Sequence, residues 1–146
     1  VLAIMPWNFP LWQVMRCAAP TLMAGNTLAL KHAENEPRCA ALIEQCGDSA
    51  GLPEAVFCNL FIDNDTCAQV IADKRIAAVT LTGSEQARRS VAASAGQALK
   101  KSVLELGGSD AFVVLSGADV EQAAATAVRS RYMNAGQVCI AAKRFI

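Results

Sequence analysis

Ile76-Ala77-Ala78-Val79-Thr80-Leu81-Thr82-Gly83-Ser84-Glu85 decides the fold. The apolar run 76–81 reads as a strand, Thr82-Gly83-Ser84 as a turn, and residues 85–95 as a helix. Outward from there the same alternation repeats. Upstream, strands are expected at 2–5, 27–31 and 56–61, with helices at 11–24, 37–46 and 65–72. Two prolines hold Pro6-Trp7-Asn8-Phe9-Pro10 irregular, Gly25-Asn26 stops the first helix, and Pro37 suits a first helical turn. Downstream, 101–106 is a fifth strand, 111–115 a sixth, 119–132 a long helix, and 141–146 a strand-like end. This alternation predicts an α/β fold, a parallel sheet with helices on both faces. Gly107-Gly108 is the one break in composition and reads as a domain crossing.

The chain has 146 residues, 53% of them hydrophobic, and its 13 basic side chains balance 13 acidic ones. A chain this long buries roughly 68–70% of its unfolded surface, enough for a domain with a core. Zero net charge without a basic run argues against nucleic acid as a partner. No apolar run reaches the ~18–20 residues of a membrane span, and no basic segment leads into an apolar core as in a signal peptide. Both ends are apolar and the first residue is Val1, which reads as a piece of a larger protein. Cys17, Cys39, Cys46, Cys58, Cys67 and Cys139 form no C-x-x-C pair, and His32 is the only histidine. Such scattering predicts reduced thiols in a cytoplasmic protein and no zinc site.

Ligands of parallel sheets sit outside the carboxyl ends of the strands. Asn8, Lys31, Gly83-Ser84 and Glu105 fall there, offering an amide, a cation, a helix N-terminus and a carboxylate. Asn8 can donate to an oxyanion, a contribution of about 2.7–4 kcal/mol, or make an Asx-turn. Lys31 and Glu34 can hold two ribose hydroxyls, or form a solvated pair of about 0–1 kcal/mol. Gly83 and Ser84 can meet a phosphate, or Ser84 can be only a cap. No G-x-G-x-x-G is present. Glu105 ends an apolar strand; burial would suit it to base catalysis near neutral pH, whereas half exposure would make it an ordinary strand residue. In Met133-Asn134-Ala135-Gly136-Gln137-Val138-Cys139-Ile140, a cysteine follows a helix beside a glycine and an amide. It is a candidate nucleophile, or a small buried hydrophobe.

In this order, the set resembles the aldehyde dehydrogenase superfamily over essentially the whole chain. The matching stretches are Pro6-Trp7-Asn8-Phe9-Pro10, Leu22-Met23-Ala24-Gly25-Asn26 to Lys31, Thr82-Gly83-Ser84, Leu104-Glu105-Leu106-Gly107-Gly108, and Asn134-Ala135-Gly136-Gln137-Val138-Cys139. Residues 2–16 and Lys31-His32-Ala33 look most like the bacterial succinate-semialdehyde branch. The resemblance implies a Rossmann-type NAD-binding domain, in part, over 1–108, and the start of a catalytic domain over 109–146. It implies that Cys139 attacks the aldehyde, that the Asn8 amide and the Cys139 N–H hold the oxyanion, and that Glu105 activates water to hydrolyse the thioester. Hydride would pass to NAD. Lys31 and Glu34 would hold the adenosine ribose, Gly83 and Ser84 the diphosphate, and Trp7 and Leu106 would line the cofactor cleft. A carboxylate at Glu34 would repel a 2′-phosphate, which favours NAD over NADP. The implied partners are a small aldehyde such as succinate semialdehyde and, at full length, further copies of the chain in a homo-oligomer; membranes and nucleic acids are not among them.

Three positions depart from the family pattern. His32 replaces the usual proline and reads as framework. Arg88 replaces a glycine one turn into the helix after Ser84, where a bulky cation could alter phosphate contacts. Met133 stands where some semialdehyde-specific members carry an arginine for the substrate carboxylate; Arg129 and Arg131 are near, but the helix turns them elsewhere. Two other readings stand beside the hydrolytic one. A relative that passes its thioester to coenzyme A commonly lacks the catalytic glutamate, and a non-catalytic protein on the same scaffold would have lost the nucleophile or the base. Cys139, Glu105 and Asn8 together favour hydrolysis. Residues 1–146 alone are expected to be inactive.

Overall fold

The computed structural model describes residues 1–146. They form two compact units, Val1–Glu105 and Leu106–Ile146, so the division falls just before the Gly107-Gly108 break. In the first unit β1 (Leu2–Met5), α1 (Trp12–Met23), β2 (Leu28–His32), α2 (Pro37–Ser49), β3 (Phe57–Asn59), α3 (Asn64–Ala72), β4 (Ala78–Thr82), α4 (Glu85–Gln97) and β5 (Lys101–Glu105) alternate. Every pairing in the sheet is parallel, and the strand order is β3-β2-β1-β4-β5. The chain builds outward from β1 to β3, then returns past β1 to lay down β4 and β5. The order therefore reverses between β1 and β4, which opens a crevice at their carboxyl ends.

Side chains alternate faces along a strand, and both faces here are covered. Ala3 and Met5 of β1 and Leu28 and Leu30 of β2 pack against Val14 and Ala18 of α1 and Ala40 of α2. On the opposite face Leu2, Val79 and Leu81 meet Cys67 and Ile71 of α3 and Val91 and Ala95 of α4. Burying each such Leu contributes about 1.5–3 kcal/mol. β3 is shorter than the expected 56–61 because the chain turns once Leu60 has bonded Leu30: the Ile62 N–H donates to the Leu60 carbonyl at 3.0 Å.

The helix ends follow from local chemistry. α1 stops at Gly25, whose φ is 79°. The Gly25 N–H donates to Leu22 at 2.9 Å and the Asn26 N–H to Thr21 at 3.1 Å, the two bonds of a Schellman cap. α4 closes by the same pair of bonds, from Leu99 to Gly96 and from Lys100 to Ala95, but with Leu99 at φ 54°. Leu99 is 94% exposed, so its side chain gains almost nothing by packing. The left-handed conformation costs a leucine roughly 1–2 kcal/mol, and glycine would return about 0.4–1 kcal/mol through the unfolded chain. Leu99→Gly should therefore stabilise the fold by about 0.5–1 kcal/mol, read as a higher urea midpoint at unchanged slope.

The second unit is a small βαβ arrangement. β6 (Ala111–Phe112) and β7 (Arg144–Phe145) pair in parallel, and the Phe112 and Phe145 rings lie 5.6 Å apart. The expected sixth strand, 111–115, contracts to two residues and joins this separate sheet. Between them runs α5 (Val120–Tyr132), capped by the Asp119 carboxylate on the Gln122 N–H at 3.0 Å. Arg129 and Arg131 in its last turn suit the negative end of the helix dipole.

Candidate active site

Strand register assembles one edge of the five-stranded sheet. Met5 lies opposite His32, Ile4 opposite Leu81, and Thr82 opposite Glu105. Trp7 and Asn8 leave from β1 there, Glu34 follows β2, and Gly83 and Ser84 follow β4. His32 braces this edge: its Nε2 donates to the Pro10 carbonyl at 3.0 Å while Nδ1 accepts the Ala33 N–H at 2.8 Å. It is buried, and it pins the loop carrying Asn8 to β2, the framework role expected of it. Asn8 is half-buried and Trp7 is exposed.

Lys31 is buried, with Nζ 2.9 Å from the Asn64 Oδ1 at the start of α3, whereas Glu34 is exposed. The α3 cap is Asp63, which accepts the Thr66 N–H at 2.7 Å. Hydrogen bonding to Thr66 holds the Asp63 carboxyl below its usual range. Ser84 caps α4 by accepting the Ala87 N–H at 3.2 Å, and its hydroxyl hydrogen stays available to donate. Gly83 donates its N–H to the Glu105 carbonyl at 3.4 Å, tying this turn to β5. Arg88 is half-buried and shares Glu85 with Arg89, at 3.8 and 2.6 Å respectively. A groove of about 360 Å³ runs between α3 and α4, lined by Asn64, Cys67, Ile71, Ser84, Ala87 and Ser90. Burial pushes the Cys67 thiol up, which leaves it an inert wall.

A second groove, about 320 Å³, lies along α1 and the β4–β5 face, lined by Gln13, Arg16, Cys17, Thr80, Val103 and Glu105. In it the Arg16 Nη2 sits 2.8 Å from the Glu105 Oε1, with side chains 46% and 48% exposed. The burial that would suit Glu105 to base catalysis is thus absent in this unit: the carboxylate is exposed and ion-paired. The sequence reading missed Arg16. Its signal was present, since it is the one charged residue of an otherwise uncharged α1.

In the second unit Cys139 is half-buried in the loop after α5. The approach to it is strained: Asn134, Ala135 and Gly136 take φ of 50°, 54° and 79° in succession. Asparagine and glycine tolerate this left-handed conformation, but alanine resists it. Beyond it, the Ala141 N–H bonds the Val138 carbonyl at 3.2 Å and closes a turn around Cys139. Arg131 donates from Nη1 to the Gly136 carbonyl at 3.3 Å, so it serves this loop. Met133 and Leu106 are exposed.

The first unit defines the class: a doubly wound parallel α/β domain of the dinucleotide-binding type, here followed by a βαβ unit with a cysteine turn. The chain belongs to the aldehyde dehydrogenase family, which it matches over residues 1–146. It is 60% identical to a succinate semialdehyde dehydrogenase of Escherichia coli (strain K12) named for NAD(P)+, over 100% of this chain and 32% of that protein. It is 56% identical, with the same coverage, to a probable succinate-semialdehyde dehydrogenase of Synechocystis sp. (strain ATCC 27184 / PCC 6803 / Kazusa) named for NADP+. Among solved structures, the Streptococcus pyogenes succinic semialdehyde dehydrogenase in complex with NADP+ superposes with a TM-score of 0.95 at 50% identity, over 99% of this chain and 32% of that one. An aldehyde dehydrogenase of Pseudomonas syringae complexed with NAD+ and octanal gives 0.95 at 34% identity, over 99% of this chain and 30% of that one. The chain spans about a third of the length of the curated relatives it matches.

Proposed function

We propose that this chain is part of an oxidoreductase that converts an aldehyde, such as succinate semialdehyde, to its acid with NAD(P)+. The observation that carries the reading is the register that brings Asn8, Lys31, Ser84 and Glu105 to one edge of the sheet at its switch point. The residues fit a dinucleotide. The capped N-terminus of α4 suits a diphosphate, Lys31 and Glu34 suit a ribose, and the α3–α4 groove suits a flat base. When bound, the nicotinamide supplies the hydride acceptor. Glu34 argues for NAD; the relatives named for NAD(P)+ and for NADP+ keep the phosphorylated cofactor within the reading.

In this reading the Cys139 thiolate attacks the carbonyl carbon and the Asn8 amide donates to the resulting oxyanion. Loss of hydride leaves a thioester on Cys139. Glu105 takes a proton from water as that water attacks the thioester, and the thiolate departs. Arg16 supplies the cation that Met133 does not: a semialdehyde's distal carboxylate can take the guanidinium from Glu105 and leave the base unpaired. The retained Glu105 favours hydrolysis over transfer to coenzyme A, and Cys139, Glu105 and Asn8 together oppose a non-catalytic scaffold. The six free cysteines support a cytoplasmic location. Family resemblance supports a homo-oligomer at full length.

The test is a steady-state assay of the full-length protein with NAD and NADP against acidic and neutral aldehydes of equal length. Semialdehyde acids should be preferred. Arg16→Gln should raise their KM about 10–100-fold, the worth of a charge-assisted hydrogen bond, and leave neutral aldehydes unchanged. Failure to oxidise any aldehyde with either cofactor would overturn the reading.

A further inference from the structure

We propose that Lys143 and Arg144 are positioning residues, a two-residue clamp that fixes the turn carrying Cys139 onto the backbone of 108–110. The proposal rests on Cys139 being the nucleophile. The Lys143 Nζ donates to the Cys139 carbonyl at 2.6 Å and to the Gly108 carbonyl at 2.6 Å. The Arg144 Nε donates to the Ser109 carbonyl at 2.9 Å. The backbone N–H groups of Lys143 and Arg144 both reach the Asp110 carbonyl, at 3.3 and 3.4 Å. Two consecutive residues thereby engage three consecutive carbonyls, and the β6–β7 ladder starts at once, with Ala111 opposite Arg144.

Lys143 does more than close that ladder. One ammonium bonds both the nucleophile's own carbonyl and the facing strand, so the peptide after Cys139 is oriented from its downstream side. The need for this lies upstream, where Asn134, Ala135 and Gly136 hold positive φ and the backbone has other conformations to fall into. Both ammonium bonds are charge-assisted, stronger than neutral ones. Lys143 is exposed and absent from either hydrophobic cluster, so removing its charge should leave packing intact. A misplaced nucleophile, by contrast, loses rate steeply, about 10²-fold for 1 Å.

The experiment uses the full-length protein with Lys143→Met, which keeps an apolar stem and removes the donors, and Lys143→Arg, which keeps a cation. Single-turnover formation of reduced cofactor gives a rate constant and an amplitude that counts competent thiols. Lys143→Met should lower the rate constant about 10–100-fold at unchanged amplitude and unchanged cofactor KM, and Lys143→Arg should restore much of it. A wild-type rate constant in Lys143→Met would overturn the clamp. So would a lower amplitude at unchanged rate constant, which marks a loss of folded protein only. Should the wild type oxidise no aldehyde, the function proposed above fails, yet the clamp is still read by iodoacetamide labelling of Cys139 at fixed pH, followed on its peptide. An unchanged labelling rate in Lys143→Met would refute the clamp in that case too.

Discussion

Cys139→Ala in the full-length protein should lower kcat for aldehyde oxidation by about 10⁴–10⁶-fold, the scale seen when a nucleophile that works as part of a unit is removed. The other five cysteines all belong to the first unit. Burial pushes the thiols of Cys17, Cys58 and Cys67 up, and each lies within the first unit's framework. The residues assigned to the ribose and diphosphate also belong to the first unit, so cofactor affinity should stay within about twofold. That size is expected of a substitution away from the binding groups. Titrating NAD(P)H fluorescence beside steady-state turnover separates the two effects. Turnover within tenfold of wild type would place the nucleophile elsewhere, whereas parallel loss of turnover and cofactor binding would indicate misfolding.

The first unit was legible in sequence because its information is local. Runs such as 76–81 declare strands by their apolar character, and Gly25 or Ser84 marks a helix end through backbone chemistry acting within a few residues. Alternation of such elements leaves few arrangements besides a parallel sheet. What stayed hidden depends on partners distant along the chain. Glu105 looked like a burial candidate because its strand neighbours are apolar, yet its environment is set by Arg16, 89 positions earlier. Lys143 falls in a stretch that reads only as a strand-like end, and the fold alone shows it holding Gly108, 35 positions away. The left-handed run 134–136 was hidden for another reason: Ala135 has no intrinsic preference for the conformation it adopts. Resemblance to a family identified the motif around Cys139 but said nothing of its strain.

Glu105→Gln should separate the two halves of the reaction. From the thiolate onward, acylation calls on the oxyanion donor and a hydride acceptor but not on a base, so the first turnover should release reduced cofactor at close to the wild-type rate. Hydrolysis needs a proton acceptor, and an amide cannot serve. The steady-state rate should therefore fall by about 10²–10⁴-fold, and the acyl-enzyme should accumulate as a thioester visible by mass on the Cys139 peptide. Glutamine also removes the anion that Arg16 holds, and the two consequences can be told apart. If the ion pair merely orders the groove, Arg16→Gln should slow hydrolysis as much as Glu105→Gln does, for neutral and acidic aldehydes alike. If Arg16 parks the carboxylate until a substrate carboxylate displaces it, Arg16→Gln should hydrolyse neutral acyl groups no more slowly than wild type. The half-exposed geometry favours the second outcome, because an ion pair open to solvent is worth only about 0–1 kcal/mol and exchanges partners readily. A Glu105→Gln variant that shows no burst and no trapped thioester would assign proton removal from water to another residue.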